Sequence, residues 1–378
     1  MGFGRPAGAF RTLLGQLILL TQIVLIAQAH PYGNHPTFPV GVEENLHPVV
    51  ARASEAQFTA LPSSGRIRVH TSCLRHFDLN QWDSTINQLK GVANYGKVAT
   101  QMTLDMINDN MKNDNPTLHP QQRRMIDLFM VLYGSFRWDD VAAKMRVRDR
   151  AVRVNRMAAL FANGLIQNTA NWNFFCDESE WVLDPNVPPE IPTKFWWIKD
   201  LPAGPRMPKL SDSLCTIPDD YKAGYGGVQA EAVTLTAEHI QGNPNWITFC
   251  DGVWEVFQFQ THIWHLPDKK AEALRNAYFL ADMINNTPER LLAHEFTHGK
   301  GQFGEYLGRD EVYGWVEIVE LAKKDNAQTD ATQSKPVINA DTFTYWINGV
   351  FLEMCNFRSG RCEDPDQAAQ TPQNSDSS

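Results

Sequence analysis

Leu291 to Gly314 reads LLAHEFTHGKGQFGEYLGRDEVYG and contains His294-Glu295-Phe296-Thr297-His298. Residues four apart on a helix share one face about one turn apart, so both imidazoles can aim a nitrogen at one ion. Zinc favours such nitrogens; a zinc site that performs chemistry takes a third protein ligand and keeps a fourth position for water. Glu295 adjoins the first histidine, where its carboxylate reaches that water rather than the ion and can accept its proton. The plain alternative is two surface histidines on an ordinary helix. Upstream, Thr287-Pro288-Glu289 supplies a cap, a first-turn proline and a first-turn acid. A helix is therefore expected to start there, carry both histidines and stop at Gly299.

The third ligand separates several layouts. In the metzincin arrangement Gly301 is in place, but the ligand position falls on Gly304, which has no side chain. In the thermolysin-like arrangement a glutamate comes from a following helix. Glu317 and Glu320 on VEIVELAKK are available for that role, although Leu321 and Lys324 stand where a supporting aspartate is expected. In the third arrangement an aspartate lies within Gly-Thr-x-Asp-x-x-Tyr-Gly. Asp310-Glu311-Val312-Tyr313-Gly314 matches its second half, twelve residues after His298, with Leu307-Gly308 in place of Gly-Thr.

In these residues the chain resembles the aspzincins, the deuterolysin and fungal peptidyl-Lys metalloendopeptidase group. Asn339-Ala340-Asp341 also resembles a segment of those enzymes at a similar distance, and the likeness covers about residues 246–355. It implies one zinc ion held by His294, His298 and Asp310, with Glu295 as general base. It places Tyr313 to donate its hydroxyl to the developing oxyanion; the alternative for Tyr313 is a packing tyrosine. The implied fold is α+β and mainly α, a zincin-like domain with a small sheet beside the histidine helix. The implied activity is a metalloendopeptidase acting on protein or peptide substrates, some with Lys just after the cut bond. Glu305 or Glu311 is the candidate acid for such a lysine, and both also read as plain solvated loop residues. Glycines 299, 301, 304 and 308 suit a loop that turns back to deliver Asp310. Two other readings stay open: a secreted zinc-binding or host-interaction protein without turnover, and a thermolysin-like peptidase using Glu317 or Glu320.

The elements that must position these residues follow from pattern. Gly65 to His70 alternates like a strand, and residues 83–164 carry helical periodicity for three or four helices. Residues 171–225 are rich in Pro, Trp and Cys and suggest loops and short strands crosslinked by disulfide. Asn245 to Gln260 reads as two strand runs broken at Asp251-Gly252, and Lys269 to Ile284 as an amphipathic helix. Further helices are expected from about Val312 to Lys323 and from Asp341, as cap, to Met354. The expected organisation is a signal peptide at 1–29, then an arm and helical region at 30–165 in the place of a propeptide. A metallopeptidase domain follows at 166–362, with a disordered tail at 363–378.

The start of the chain has Arg5 and Arg11 before an apolar stretch, then Ala27-Gln28-Ala29 as a small-x-small cleavage site, so secretion is expected. All six cysteines follow that site, which suggests disulfides in an oxidising compartment; Cys355 with Cys362 is the one pair the sequence names. Asn285-Asn286-Thr287 is a glycosylation sequon. The chain has 34 Lys and Arg against 43 Asp and Glu, and without the two signal arginines its net charge is near −11. Nucleic acid and anionic membranes are poor partners for such a charge, and a monomer is expected.

Other residues invite chemistry. His30 would be the first mature residue and could chelate copper through its amine and ring, although the long helical stretch argues against the sandwich fold of oxidative polysaccharide-cleaving enzymes. His262 and His265 would lie on opposite faces of a strand. Phe195-Trp196-Trp197 serves a ligand or the packing of a loop. Arg123-Arg124 is a dibasic sequence within a helical pattern, a candidate for processing.

Overall fold

The computed structural model describes residues 28–31, 57–169, 171–184, 195–198, 206–208, 213–216, 230–236, 244–257, 265–270 and 278–368. Its strands are β1 (Gln28–Pro31), β2 (Phe58–Leu61), β3 (Ser64–His70), β4 (Trp172–Phe175), β5 (Trp181–Leu183), β6 (Phe195–Ile198), β7 (Arg206–Pro208), β8 (Ala230–Thr236) and β9 (Asn245–Phe249). Three long helices come first: α1 (Leu79–Asp109), α2 (Pro120–Tyr133) and α3 (Val141–Ile166). Shorter ones follow: α4 (Asp251–Phe257), α5 (Leu266–Lys270), α6 (Leu280–Ile284), α7 (Pro288–Thr297), α8 (Lys300–Phe303), α9 (Gly314–Lys324), α10 (Lys335–Ile338), α11 (Ala340–Phe351) and α12 (Pro365–Ala368). The protein is α+β and mainly helical.

Local chemistry sets the long helices. Asp78 caps α1 and exchanges bonds with Gln81, His119 caps α2 ahead of Pro120, and the Asp140 side chain accepts from Ala143 N at the start of α3. The inward stripe of α1, with Trp82, Ile86, Leu89, Ala93 and Ile107, is buried. Gly96 on that stripe lets α11 approach, because a Cβ there would lie 2.5 Å from Ile347 Cδ1. One continuous core takes in α1, α2, α3, α7 and α11 together. The helices of the first half thus share their interior with the histidine helix instead of forming a separate body.

The six-stranded sheet has the order β1-β8-β9-β4-β3-β2. β3, β4 and β9 run parallel; β2 at one end, and β8 with β1 at the other, are antiparallel to their neighbours. Its central strands are buried on both faces: Phe174 and Ile247 face the helical core, whereas Phe175 and Trp246 join a second cluster with Trp181 and Ile198 of the small sheet β5-β6-β7. Disulfides Cys73–Cys176 and Cys215–Cys250 close this side, and Cys355–Cys362 forms as expected from the sequence. No helix among the described residues is long and apolar enough to cross a membrane.

Several expectations need correction. The second run after Asp251-Gly252 is α4, not a strand: Val253, Trp254 and Phe257 share one buried helix face against Phe77 and Trp82. Lys269 to Ile284 is not one described helix. It begins in α5 and ends in α6, Tyr278 and Phe279 are non-helical, and 271–277 lie outside the described residues. Asp341 is not a cap; Asn339 occupies that position, and the Asp341 side chain turns inward. Arg123-Arg124 lies inside α2, where Arg124 is buried and donates to the Val350 carbonyl and the Tyr95 hydroxyl, so a processing protease has no access to it. The expected signal peptide up to residue 27 and His262 lie outside the described residues, as does the expected disordered tail from 369 on; the first residues assigned to that tail, 363–368, are ordered instead, with Glu363 bridging Asn356 and Pro365–Ala368 forming α12.

Candidate metal centre

α7 begins as expected, with the Thr287 side chain accepting from Arg290 N and Pro288 in the first turn. It ends with His298 as its C-terminal cap. The chain can leave here because residue 299 has no side chain: a Cβ on Gly299 would lie 2.4 Å from the Trp172 ring. After α8, Gly304 takes φ +56°, in the left-handed region, and turns the chain back. Gly308 N then donates to Thr297 O at 2.8 Å, and a Cβ on Gly308 would stand 2.4 Å from Thr297 Oγ1, so only glycine fits so close to α7. Arg309 forms a bridge with Asn339, and Asn339 Oδ1 accepts from Glu311 N at 3.0 Å and Val312 N at 3.2 Å. Asp310 is thus clamped on both sides. These contacts secure the turn at Leu307-Gly308.

The result is a triangle of donors. The Nε2 atoms of His294 and His298 are 3.1 Å apart. Asp310 Oδ1 lies 3.2 Å from the first and 3.3 Å from the second. Ligands about 2.0–2.1 Å from a tetrahedral ion stand about 3.3 Å from one another, so the triangle fits three ligands of one such ion. The outer nitrogens settle what the inner ones offer. His298 Nδ1 faces the Gly308 carbonyl at 3.2 Å, and His294 Nδ1 faces Asp341 Oδ1 at 3.2 Å. Both partners accept, so both Nδ1 atoms carry a proton, and the inner nitrogens are the ones left to face a metal ion. The two inner nitrogens and Asp310 Oδ1, on groups at most 2% exposed, face one another and favour a cation between them, a proton or a metal ion. Burial draws the His294 imidazole down, but Asp310 and Asp341 outweigh it and lift its pKa to about 10. Asp310, which burial alone would raise, is held well below the carboxylate range by His298 and His294. The field of the site favours positive charge.

Glu295 and Tyr313 stand beside the triangle. Glu295 Oε2 accepts from Thr234 Oγ1 of β8 at 2.5 Å, while its buried Oε1 meets no hydrogen-bond partner. One oxygen is anchored and the other is available. The Tyr313 ring lies over the His294 ring at 5.7 Å between centroids, and burial, reinforced by Asp310, keeps its hydroxyl protonated.

His294, His298 and Asp310 are the group of described residues able to hold a metal ion. Glu317 and Glu320 lie outside it on α9, and Glu320 pairs with Lys323 on the surface. Glu305 is exposed, and the Glu311 carboxylate stands 3.6 Å from Lys335. His265 is paired with Glu289 at 2.6 Å, and Phe195 to Trp197 lie in β6 of the small sheet. Sequence reasoning missed the role of Asp341, which accepts from His294 Nδ1, from Arg290 and from Gly314 N at 2.7 Å. The Asn-Ala-Asp segment was a signal for it, misread as a helix cap. Thr234, Glu231 and Arg290 also belong to the surroundings of the site, and no spacing announced them. Protein-family models, curated proteins and solved structures contain no match to the chain.

Proposed function

We propose that the protein is a secreted zinc metalloendopeptidase of the aspzincin type, with His294, His298 and Asp310 as zinc ligands. The observation that carries this reading is the pairing of the three-donor triangle with a glutamate that has one oxygen anchored and one unbonded. Zinc bound there would supply Lewis-acid polarisation of water and of the scissile carbonyl. Glu295 Oε1 accepts the proton of the attacking water and returns it to the leaving amine, while the bond from Thr234 holds the carboxylate in place. The Tyr313 hydroxyl donates to the oxygen that gains charge as the carbonyl is attacked. A peptide substrate is favoured by β8, which supports Glu295 and whose outer edge accepts an extended segment, Gln28–Pro31, antiparallel. Lysine-directed cleavage through Glu305 or Glu311 draws little support, since one is exposed and the other faces Lys335.

A second reading, a zinc-binding protein without turnover, is favoured by enclosure: His294, Glu295, His298, Asp310 and Tyr313 are all at most 3% exposed. One experiment separates the two. Purified protein is incubated with casein, with and without a chelator, and zinc is then restored. Zinc-dependent cleavage supports the peptidase; zinc binding without cleavage selects the second reading.

A further inference from the structure

Arg290 lies one turn before His294 on α7, and its guanidinium is buried without touching any of the three donors. Its Nη1 donates to Glu231 Oε2 on β8 at 3.0 Å and its Nη2 to Asp341 Oδ1 on α11 at 3.1 Å. Asp341 is fully buried. The oxygen that takes Arg290 is the one facing His294 Nδ1, while its other oxygen takes Gly314 N, next to Tyr313. Four segments meet in this network: β8, the histidine helix, the turn after Asp310, and α11. Two buried carboxylates of like charge would repel and would be costly without a cation between them. Burial draws Arg290 down, yet Asp341 and Glu231 outweigh it, so the cation is kept.

We infer that Arg290 is a positioning residue of the metal centre: its planar fork holds Asp341 Oδ1 against His294 Nδ1 and ties that contact to β8 through Glu231. The inference rests on the reading of His294, His298 and Asp310 as metal ligands. A guanidinium suits the task because it presents two donors in fixed directions to two acids, whereas an ammonium is a single point on a flexible stem. Metal affinity therefore depends on a residue that does not ligate. If Arg290 were only a structural ion pair, its loss would lower stability and leave the affinity of the folded protein unchanged.

The test measures zinc affinity of the full, disulfide-bonded chain by competition with a chromophoric chelator, with circular dichroism to confirm folding. Arg290→Lys is expected to weaken zinc binding about 10-fold and Arg290→Ala about 100-fold, the range for partners that orient a metal ligand. Millimolar methylguanidinium should restore much of the loss in Arg290→Ala, because it refills the space between Glu231 and Asp341. A folded Arg290→Ala that binds zinc like the wild type overturns the inference, as does a methylguanidinium effect no larger than that of equal sodium chloride. Should Arg290→Ala fail to fold, Arg290→Lys decides, and wild-type affinity in that variant overturns it. A wild-type chain that binds no zinc would instead refute the metal reading itself.

Discussion

Buried imidazoles meet α7 at both ends, one at its start and two at its end, and the two ends are arranged differently. At the start, His265 Nδ1 faces Glu289 Oε1 at 2.6 Å while Leu266 N donates to Glu289 Oε2 at 3.2 Å, so the carboxylate is satisfied on both oxygens. At the end, His294 and His298 use their outer nitrogens on Asp341 and Gly308 and turn the inner ones toward each other and Asp310. The first arrangement is complete with protein atoms alone. The second converges on a space that can hold a metal ion, which a proton on His294 shares with Asp310 until one binds. Burial and a nearby carboxylate are common to both, so neither marks a ligand; what distinguishes the candidate metal centre is convergence of three potential ligand atoms on one point.

The most severe way to break this contrast is Asp310→Ala, which removes one corner of the triangle. Zinc binding, measured by equilibrium dialysis, should be lost together with hydrolysis, while Glu317→Ala and Glu320→Ala retain both. Zinc retained in Asp310→Ala but lost in either glutamate variant would transfer the third corner to α9. Proton competition sharpens the same point. With the His294 pKa lifted to about 10, zinc must displace a proton at any pH below that, so affinity should fall as pH falls. A flat profile from pH 8 to 6 would contradict it.

Next in size is Glu295→Gln, which keeps the zinc ligands and removes the base. Hydrolysis should drop by about 10²–10⁴-fold with bound zinc unchanged. Loss of metal in that variant would make Glu295 structural. Tyr313→Phe should lower kcat by about 10²–10³-fold, the cost of one oxyanion donor, again with zinc in place. If kcat is unaltered, Tyr313 only packs on His294. The smallest effect belongs to the other end of α7. His265→Ala should cost about 1–3 kcal/mol in urea unfolding by leaving Glu289 short of a partner, with no change in zinc content.

The same contrast explains what the sequence could disclose. His294, Glu295, His298 and Asp310 lie within one short stretch, and helix period plus a glycine-rich return loop brings them together, so local rules suffice. α1 to α3 were likewise legible, since each shows an apolar stripe at helical spacing. Asp341 was misassigned because an acid beside a helix start usually caps it; here Arg290 and His294 draw it inward, and both contacts come from tertiary packing. α4 was misread as a strand because Val253, Trp254 and Val256 favour strands, whereas burial against Phe77 and Trp82 rewards a helical face. Thr234 reaches Glu295 across 61 residues, a separation at which no periodicity speaks.

The interior shared by α1, α2, α3, α7 and α11 has a practical consequence for anyone producing the protein. A recombinant version cut at residue 166 to yield the histidine half alone would expose the inner faces of α7 and α11 and should collect as inclusion bodies. Among the described residues that interior begins at Leu61 of β2, so an expression vector starting no later than Gln57 keeps all of its described members.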